Sequence, residues 1–270
     1  MTRYLASRYP HTRVPTGLVW GYLLLNATLS TDAQAQQIDV VGTRFKVTIA
    51  GGRVLNQDEL LGATLSGADE AGNQLLFRVD AVEPDPKDES GEVVLYTLMV
   101  SDSQHGTWRN LCNPDPDGLA RGFPIRNLDK EDGSFSLTCT SGAVGKCIRM
   151  GYKPWATNDS GNTLRGHHQA CVRMLRADYC GNGDSHTRDG TVVNIFDKLG
   201  IQKPDPEPAA FEAAWGPDGA VCVNKTRIPD VLTLDELVLM CPEKLQGLTG
   251  ETCSEAGALH DDRALILNRS

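Results

Sequence analysis

The chain has 270 residues, of which 40% are hydrophobic and 23% are charged, and its formal net charge is −9. This composition supplies enough apolar material for a core and excludes a disordered chain, and the length fits one or two domains. An acidic protein repels phosphate backbones, and no basic tract interrupts the sequence. We therefore expect no nucleic-acid partner.

The first 35 residues have the three parts of a signal peptide: arginines without an acid, an apolar run over 18–29, and the small-x-small pattern Ala33-Gln-Ala35. A membrane anchor is the alternative, but a span needs about 20 apolar residues, and Asn26 and Asp32 interrupt the run and its flank. Cleavage after residue 35 would change the formal charge to −11, because three arginines and one aspartate leave. We predict a secreted or periplasmic protein without a stable membrane span.

From residue 36 to about 110 the chain has the pattern of a mainly antiparallel β domain. Apolar and polar residues alternate over 44–49, as expected when one face of a strand is buried and the other is wet. Gly51-Gly52 marks a turn, and further strands are predicted at 75–82 and 93–100.

The rest of the chain, residues 111–270, is predicted to be a mixed domain. Helical spacing over 164–177 places His168 and Cys171 on an inner face. The segment 211–223 is predicted to be a hairpin that turns at Gly216-Pro-Asp-Gly219. The whole protein is thus predicted to be α+β, with a β-rich N-terminal domain and a disulfide-rich C-terminal one.

A short helix is predicted after residue 233. Thr233 and Glu236 have the spacing of a capping box, and Pro242 is expected to end the helix.

All eight cysteines lie after residue 111, in an even number that suggests up to four disulfides. Zinc sites favour closer pairs than these. Spacing alone allows about 105 pairings, and the pairs Cys139/Cys147 and Cys171/Cys180 are the simplest local candidates. The predicted half-cystines are Cys112, Cys139, Cys147, Cys171, Cys180, Cys222, Cys241 and Cys253.

The tetrad Ala177-Asp-Tyr-Cys180 resembles the motif that names the ADYC-domain family of bacterial proteins. The resemblance continues in order through further segments of the chain. They are Cys139, Lys146-Cys147, Gly151-Tyr-Lys-Pro-Trp155, His168-Gln-Ala-Cys171, His186-Thr-Arg-Asp-Gly-Thr191, Phe211-Glu-Ala-Ala-Trp215, Gly219-Ala-Val-Cys222 and Cys241-Pro242.

The resemblance implies an exported protein, since family members are often lipid-anchored, but it implies no reaction. No cysteine stands at the predicted cleavage site to carry a lipid. A soluble destination is therefore expected.

The polar residues around the tetrad are the candidates for catalysis. His168, Asp178, His186 and Asp189 could form a proton-transfer site, because an imidazole near a carboxylate titrates close to neutral pH. In the alternative interpretation His168 packs under the helix, while Asp178 and Asp189 accept backbone N–H bonds in the glycine-rich turns. A nucleophilic Cys180 would need a free thiol, which the even cysteine count does not favour.

Metal binding is expected to be absent. Asp184 and Asp189 are the weak candidates for a calcium site, but their loop does not fit the D-x-[DN]-x-[DN]-G pattern. No nucleotide-binding or hydrolase signature occurs, and we predict no cofactor.

The sequence does not decide whether the protein is an enzyme. The favoured hypothesis is a non-catalytic binding or structural module with a ligand outside the cell or in the cell envelope. The alternative is an extracytoplasmic hydrolase with a His/Asp site near the tetrad.

Overall fold

The computed structural model describes residues 35–68, 72–102, 107–127, 133–206 and 209–270. Contacts between Cα atoms divide these residues into two compact units, 35–145 and 146–270. The predicted signal peptide lies, except for Ala35, outside the described residues.

The N-terminal unit is built of antiparallel strands. The first two, β1 (Ala35–Val41) and β2 (Arg44–Ile49), pair with each other. Six more strands form a second sheet in the order β3-β4-β5-β7-β8, with β6 paired to β5. They are β3 (Thr64–Ala68), β4 (Gln74–Pro84), β5 (Val94–Asp102), β6 (Arg109–Asn110), β7 (Gly122–Arg126) and β8 (Phe135–Cys139). The predicted domain boundary at residue 110 lies between β6 and β7.

The predicted alternation in β2 is confirmed, because Phe45, Val47 and Ile49 are all buried. The Phe45 ring meets the rings of Tyr96 and Phe135 edge-on, with centroids 5.1 and 5.8 Å apart. Aromatic pairs in this geometry add stabilisation to the area that they bury. The core of this unit therefore follows from the period-2 pattern of its strands.

The C-terminal unit contains a four-stranded antiparallel sheet in the order β11-β10-β12-β9. Its strands are β9 (Asn194–Asp197), β10 (Phe211–Gly216), β11 (Gly219–Val223) and β12 (Ile266–Arg269). The helices are α1 (Ala143–Arg149), which spans the boundary between the units, α2 (Arg165–Arg176), α3 (Leu234–Met240), α4 (Pro242–Leu245) and α5 (Glu255–Leu259). Short 3₁₀ helices occupy Gln57–Leu60 and Gly250–Thr252.

The two faces of this sheet support separate cores. In β10, Ala213 and Trp215 belong to the core that includes residues of α2, whereas Ala214 between them belongs to the core that includes Ala258 of α5. A strand covered on both faces needs small or apolar residues at every position. The run Phe211-Glu-Ala-Ala-Trp-Gly216 meets that need except at Glu212.

The predicted α+β class is confirmed, as are the hairpin over 211–223 and the helix that begins after Leu164. The capping box of Thr233 and Glu236 is also present. Within the described ranges, no helix has both the length and the apolar composition that a bilayer crossing requires.

Candidate functional site

The tetrad begins at the C-terminal end of α2, where Ala177 adopts a left-handed conformation with φ 49°. The amide of Asp178 donates to the carbonyl of Arg173 over 2.9 Å, and the amide of Ala177 donates to that of Met174. This is the hydrogen-bond pattern of a Schellman motif. The motif ends the helix and directs the next three residues towards the β10–β11 hairpin.

Asp178 is fully buried and organises the loop that follows it. Its carboxylate accepts hydrogen bonds from the amides of Gly181 and Gly183, each over 2.9 Å, and forms an ion pair with Arg173. The carboxylate is thereby compensated by two amides and a guanidinium. These are backbone hydrogen bonds of the kind that the alternative interpretation of the sequence expects for Asp178.

Tyr179 is fully buried and joins a polar network in the core. Its hydroxyl donates to Glu212 over 3.1 Å and accepts from the amide of Arg227 over 2.8 Å, while its ring stacks on Trp215. Burial, followed by the nearby Glu212 charge, raises the pKa of Tyr179 well above its ordinary value. The hydroxyl therefore remains protonated and serves as a hydrogen-bond donor.

Arg227 and Glu212 are the charged pair in this network, with side chains 1% and 0% exposed. The guanidinium donates to both carboxylate oxygens over 3.0 Å. It also donates to the carbonyls of Met174 and Leu175, which lie in the last turn of α2. One arginine thus neutralises a buried carboxylate and satisfies helix-end carbonyls.

The tetrad and the hairpin turn meet through their backbones. The carbonyl of Tyr179 accepts from the amide of Ala220 over 2.9 Å. A Cβ atom on Gly181 would lie 1.7 Å from the carbonyl oxygen of Asp218, and one on Gly219 would lie 2.7 Å from that of Tyr179. Only glycine fits at these two points of close approach.

Two cationic side chains hold the carbonyl groups of this turn. Arg173 donates to the carbonyl of Pro217 over 3.3 Å. Lys244 donates to the carbonyl of Cys180 over 3.1 Å and to that of Asp218. The turn is therefore fixed in one conformation by side chains from α2 and α4.

An open cleft of about 410 Å³ lies at the turn between β10 and β11. Volumes of this size are within the range of small-ligand sites. The lining combines an apolar surface with charged groups of both signs and with glycine backbone. Its residues are Gly216, Pro217, Asp218, Gly219, Ala220, Val221, Lys244, Asp262, Arg263 and Leu265.

The four predicted catalytic residues have separate surroundings. His168 is buried, with Nδ1 3.0 Å from the carbonyl oxygen of Tyr152, and His186 has Nδ1 3.2 Å from that of Ala177. Asp178 contacts the amides described above, and Asp189 is exposed. Within the described residues, no hydrogen bond joins any two of the four, so the imidazole–carboxylate contact of a general acid–base pair is missing.

No group of three or more His, Cys, Asp or Glu side chains in the described ranges could hold a metal ion. Asp184, one of the two weak metal candidates, is exposed and accepts from the side-chain amide of Asn182 over 2.8 Å. Asp189, the other, is exposed as well.

A model of the ADYC domain family matches residues 57–229, more than half of the sequence. The chain belongs to the ADYC domain family. No curated protein and no solved structure matches it. The match includes the tetrad and the whole β10–β11 hairpin, and it confirms the resemblance read from the sequence motifs.

All eight cysteines of this ADYC domain protein form disulfides, as predicted. The pairs are Cys112–Cys139, Cys147–Cys171, Cys180–Cys241 and Cys222–Cys253. The local pairs Cys139/Cys147 and Cys171/Cys180 were wrong. A disulfide needs Cα atoms about 4.4–6.8 Å apart. The packing of α1 against α2 brings Cys147 within that distance of Cys171, and the turn after α2 brings Cys180 close to Cys241.

Because Cys180 is oxidised, it has no thiolate to act as a nucleophile. We expect iodoacetamide to label no cysteine of the folded protein when no reductant is present. Peptide mapping by mass spectrometry would check this. Alkylation of Cys180 in a sample that has not been reduced would contradict the assigned pairing.

The stability of the ADYC domain protein is expected to depend on His168 in mildly acidic solution. Burial lowers the pKa of His168 to about 4, against an ordinary value of 6.5. The unfolded chain therefore takes up the proton more readily. The stability that neutral His168 contributes is present above pH 6.5 and is lost as the pH falls towards 4.

Between pH 7 and pH 4.5 this loss should reach about 2–3 kcal/mol. A His168→Gln variant keeps a neutral donor and should lose less stability over the same interval, as measured by urea unfolding at both pH values. His260→Gln, at an exposed imidazole, is the control and should behave as the wild type does. Equal losses in all three proteins would contradict the role of His168.

Sequence reasoning missed the cleft and the residues that build it. The turn motif Gly216-Pro-Asp-Gly219 is the local signal that the sequence offers for it. Lys244 and Arg263 carry no local signature, because they reach the turn from segments 25 or more residues away along the chain.

Proposed function

We propose that this ADYC domain protein acts outside the cytoplasm as a non-catalytic binding module, and that the cleft at the β10–β11 turn holds its ligand. Four disulfides support an oxidising compartment. The predicted signal peptide points to the same location.

The observation that carries the proposal is the way in which the turn is held. Arg173 and Lys244 bind its carbonyls, and the backbone of Tyr179 pairs with Ala220. A binding surface fixed before the ligand arrives loses little conformational freedom on association. The tetrad that names the family thus supports the cleft from within the protein.

The cleft is also favoured over the predicted catalytic residues as the functional site. His168 and Asp178 are buried and bonded to backbone groups. A hydrolase that used them would need a substrate to reach atoms that are already occupied. A binding role makes no such demand.

The proposal is tested by recording amide NMR spectra of the ¹⁵N-labelled protein with a panel of capped dipeptides and simple sugars. We expect at least one compound to shift the amides of Gly219, Val221 and Leu265. Val221→Trp, which fills the cleft, should abolish these shifts, whereas Val192→Trp, at an exposed position, should not. A panel in which no compound shifts the cleft amides would refute the proposal.

The hydrolase alternative has its own measurement. Hydrolysis of p-nitrophenyl acetate should proceed at the same rate with the wild type and with His186→Ala. A rate that depends on His186 would favour the hydrolase over the binding module.

A further inference from the structure

Two carboxylates at the cleft have no partner among the residues that the structure describes. Asp218 and Asp262 are both exposed, and in the described part of the chain neither side chain takes part in a hydrogen bond or an ion pair. Every other charged group at the cleft is engaged. These two carboxylates are therefore available to a ligand.

The two cations of the cleft are bound to protein oxygens. Lys244 donates to the carbonyls of Cys180 and Asp218. Arg263 binds Asp261 through two hydrogen bonds, from Nε over 3.0 Å and from a terminal nitrogen over 2.6 Å. The guanidinium charge is balanced by that carboxylate. Lys244 is bound by neutral carbonyls and keeps its charge, which offsets one of the two free carboxylates, so the net charge that remains for recognition in the cleft is negative.

The uncharged part of the lining is apolar. Pro217, Ala220, Val221 and Leu265 contribute side chains to the cleft. Val221 and Leu265 are half-buried, and Leu265 packs against the core that includes α2. An apolar side chain placed here would be removed from water without any polar group losing a partner.

We propose, on the basis of the binding function proposed above, that the cleft binds a peptide in which an arginine or lysine adjoins a large apolar side chain. The apolar side chain covers the surface formed by Val221 and Leu265, and the cationic group pairs with Asp218 and Asp262. The formal charge of −9 on the whole chain favours the approach of such a ligand.

The test compares three probes of similar size that differ in charge: acetyl-Leu-Arg-amide, acetyl-Leu-Gln-amide and acetyl-Leu-Glu-amide. Each is titrated into the ¹⁵N-labelled full chain. We expect the arginine probe to bind at the amides of Gly219 and Val221, and the glutamate probe to bind at least about tenfold more weakly. Added salt should weaken the binding of the arginine probe more than that of the other two, because exposed ion pairs are screened by salt.

Charge-removing variants locate the effect. Asp218→Asn and Asp262→Asn should each lower the affinity for the arginine probe by about three- to tenfold. Asp230→Asn, at another exposed aspartate of the same unit, makes the same change in net charge and should leave binding unaltered. The amide spectra of all three variants report whether the fold is retained.

The outcomes separate this inference from the function on which it rests. If the glutamine or glutamate probe shifts the cleft amides as strongly as the arginine probe, the cleft binds ligands but the charge preference is wrong. Equal affinity of the Asp218, Asp262 and Asp230 variants would also overturn the preference. If neither these probes nor the wider panel shifts the cleft amides, both proposals fail.

Discussion

Replacing Gly181 with alanine is expected to lower the free energy of unfolding by about 3 kcal/mol. The residue has φ +76°, a conformation that costs an L-amino acid about 1–2 kcal/mol. The added Cβ would also lie 1.7 Å from the carbonyl oxygen of Asp218. Because that oxygen belongs to the backbone of the β10–β11 turn, the overlap can be removed only if the tetrad and the hairpin move apart. Overpacking of this kind costs about a further 1–3 kcal/mol.

Gly183→Ala is the matched control for Gly181→Ala. Gly183 has φ +99°, and a Cβ atom there would have no neighbour within 4 Å. Its amide also donates to Asp178, as that of Gly181 does. Urea unfolding followed by tryptophan fluorescence should therefore show a loss of about 1–2 kcal/mol for Gly183→Ala. Equal losses in the two variants would mean that contact between the tetrad and the turn contributes nothing.

Arg227→Met is expected to destabilise the C-terminal unit by about 3–5 kcal/mol, because it leaves the buried Glu212 carboxylate without its cation. The carbonyls of Met174 and Leu175 lose their donor in the same change. Thermal and urea unfolding would measure the effect.

Two comparisons isolate the cause of the Arg227 effect. The Arg263 side chain is 68% exposed and pairs with Asp261. Arg263→Met should therefore lower the free energy of unfolding by only about 0–1 kcal/mol. Adding Glu212→Gln to Arg227→Met should recover part of the stability, since the buried charge is then gone. If the double variant were no more stable than Arg227→Met alone, lost packing rather than uncompensated charge would explain the result.

The polar network around Tyr179 and Arg227 also explains why Glu212 can occupy a strand that is otherwise apolar. Its carboxylate accepts from Tyr179, Arg227 and Asn268, the last over 2.7 Å. Asn268 in turn accepts from the indole N–H of Trp215 over 2.8 Å. Every hydrogen-bonding side chain in this part of the core has a partner, which is the condition under which a buried polar network is tolerated.

Several features of the fold were determined by the sequence alone, because the interactions that form them join residues a few positions apart. The alternation of Phe45, Val47 and Ile49 predicted a one-sided strand. The turn after β10 and the capping box of Thr233 and Glu236 were likewise predicted from local spacing.

The candidate site was decided by the tertiary structure. Glu212 meets Asn268 across 56 positions of sequence, and Lys244 reaches the carbonyl of Cys180 across 64. Such contacts depend on how the sheet and helices pack, and no periodicity or motif specifies them.

The cysteines combine both kinds of information. Their number and clustering in the sequence predicted up to four disulfides in an exported protein, and four bonds are present. Their pairing required the fold, since it depends on which Cα atoms come within bridging distance. Packing thus makes Cys180 a half-cystine with Cys241, and it brings the tetrad against the β10–β11 turn, because the residues that make these contacts are far apart in the sequence.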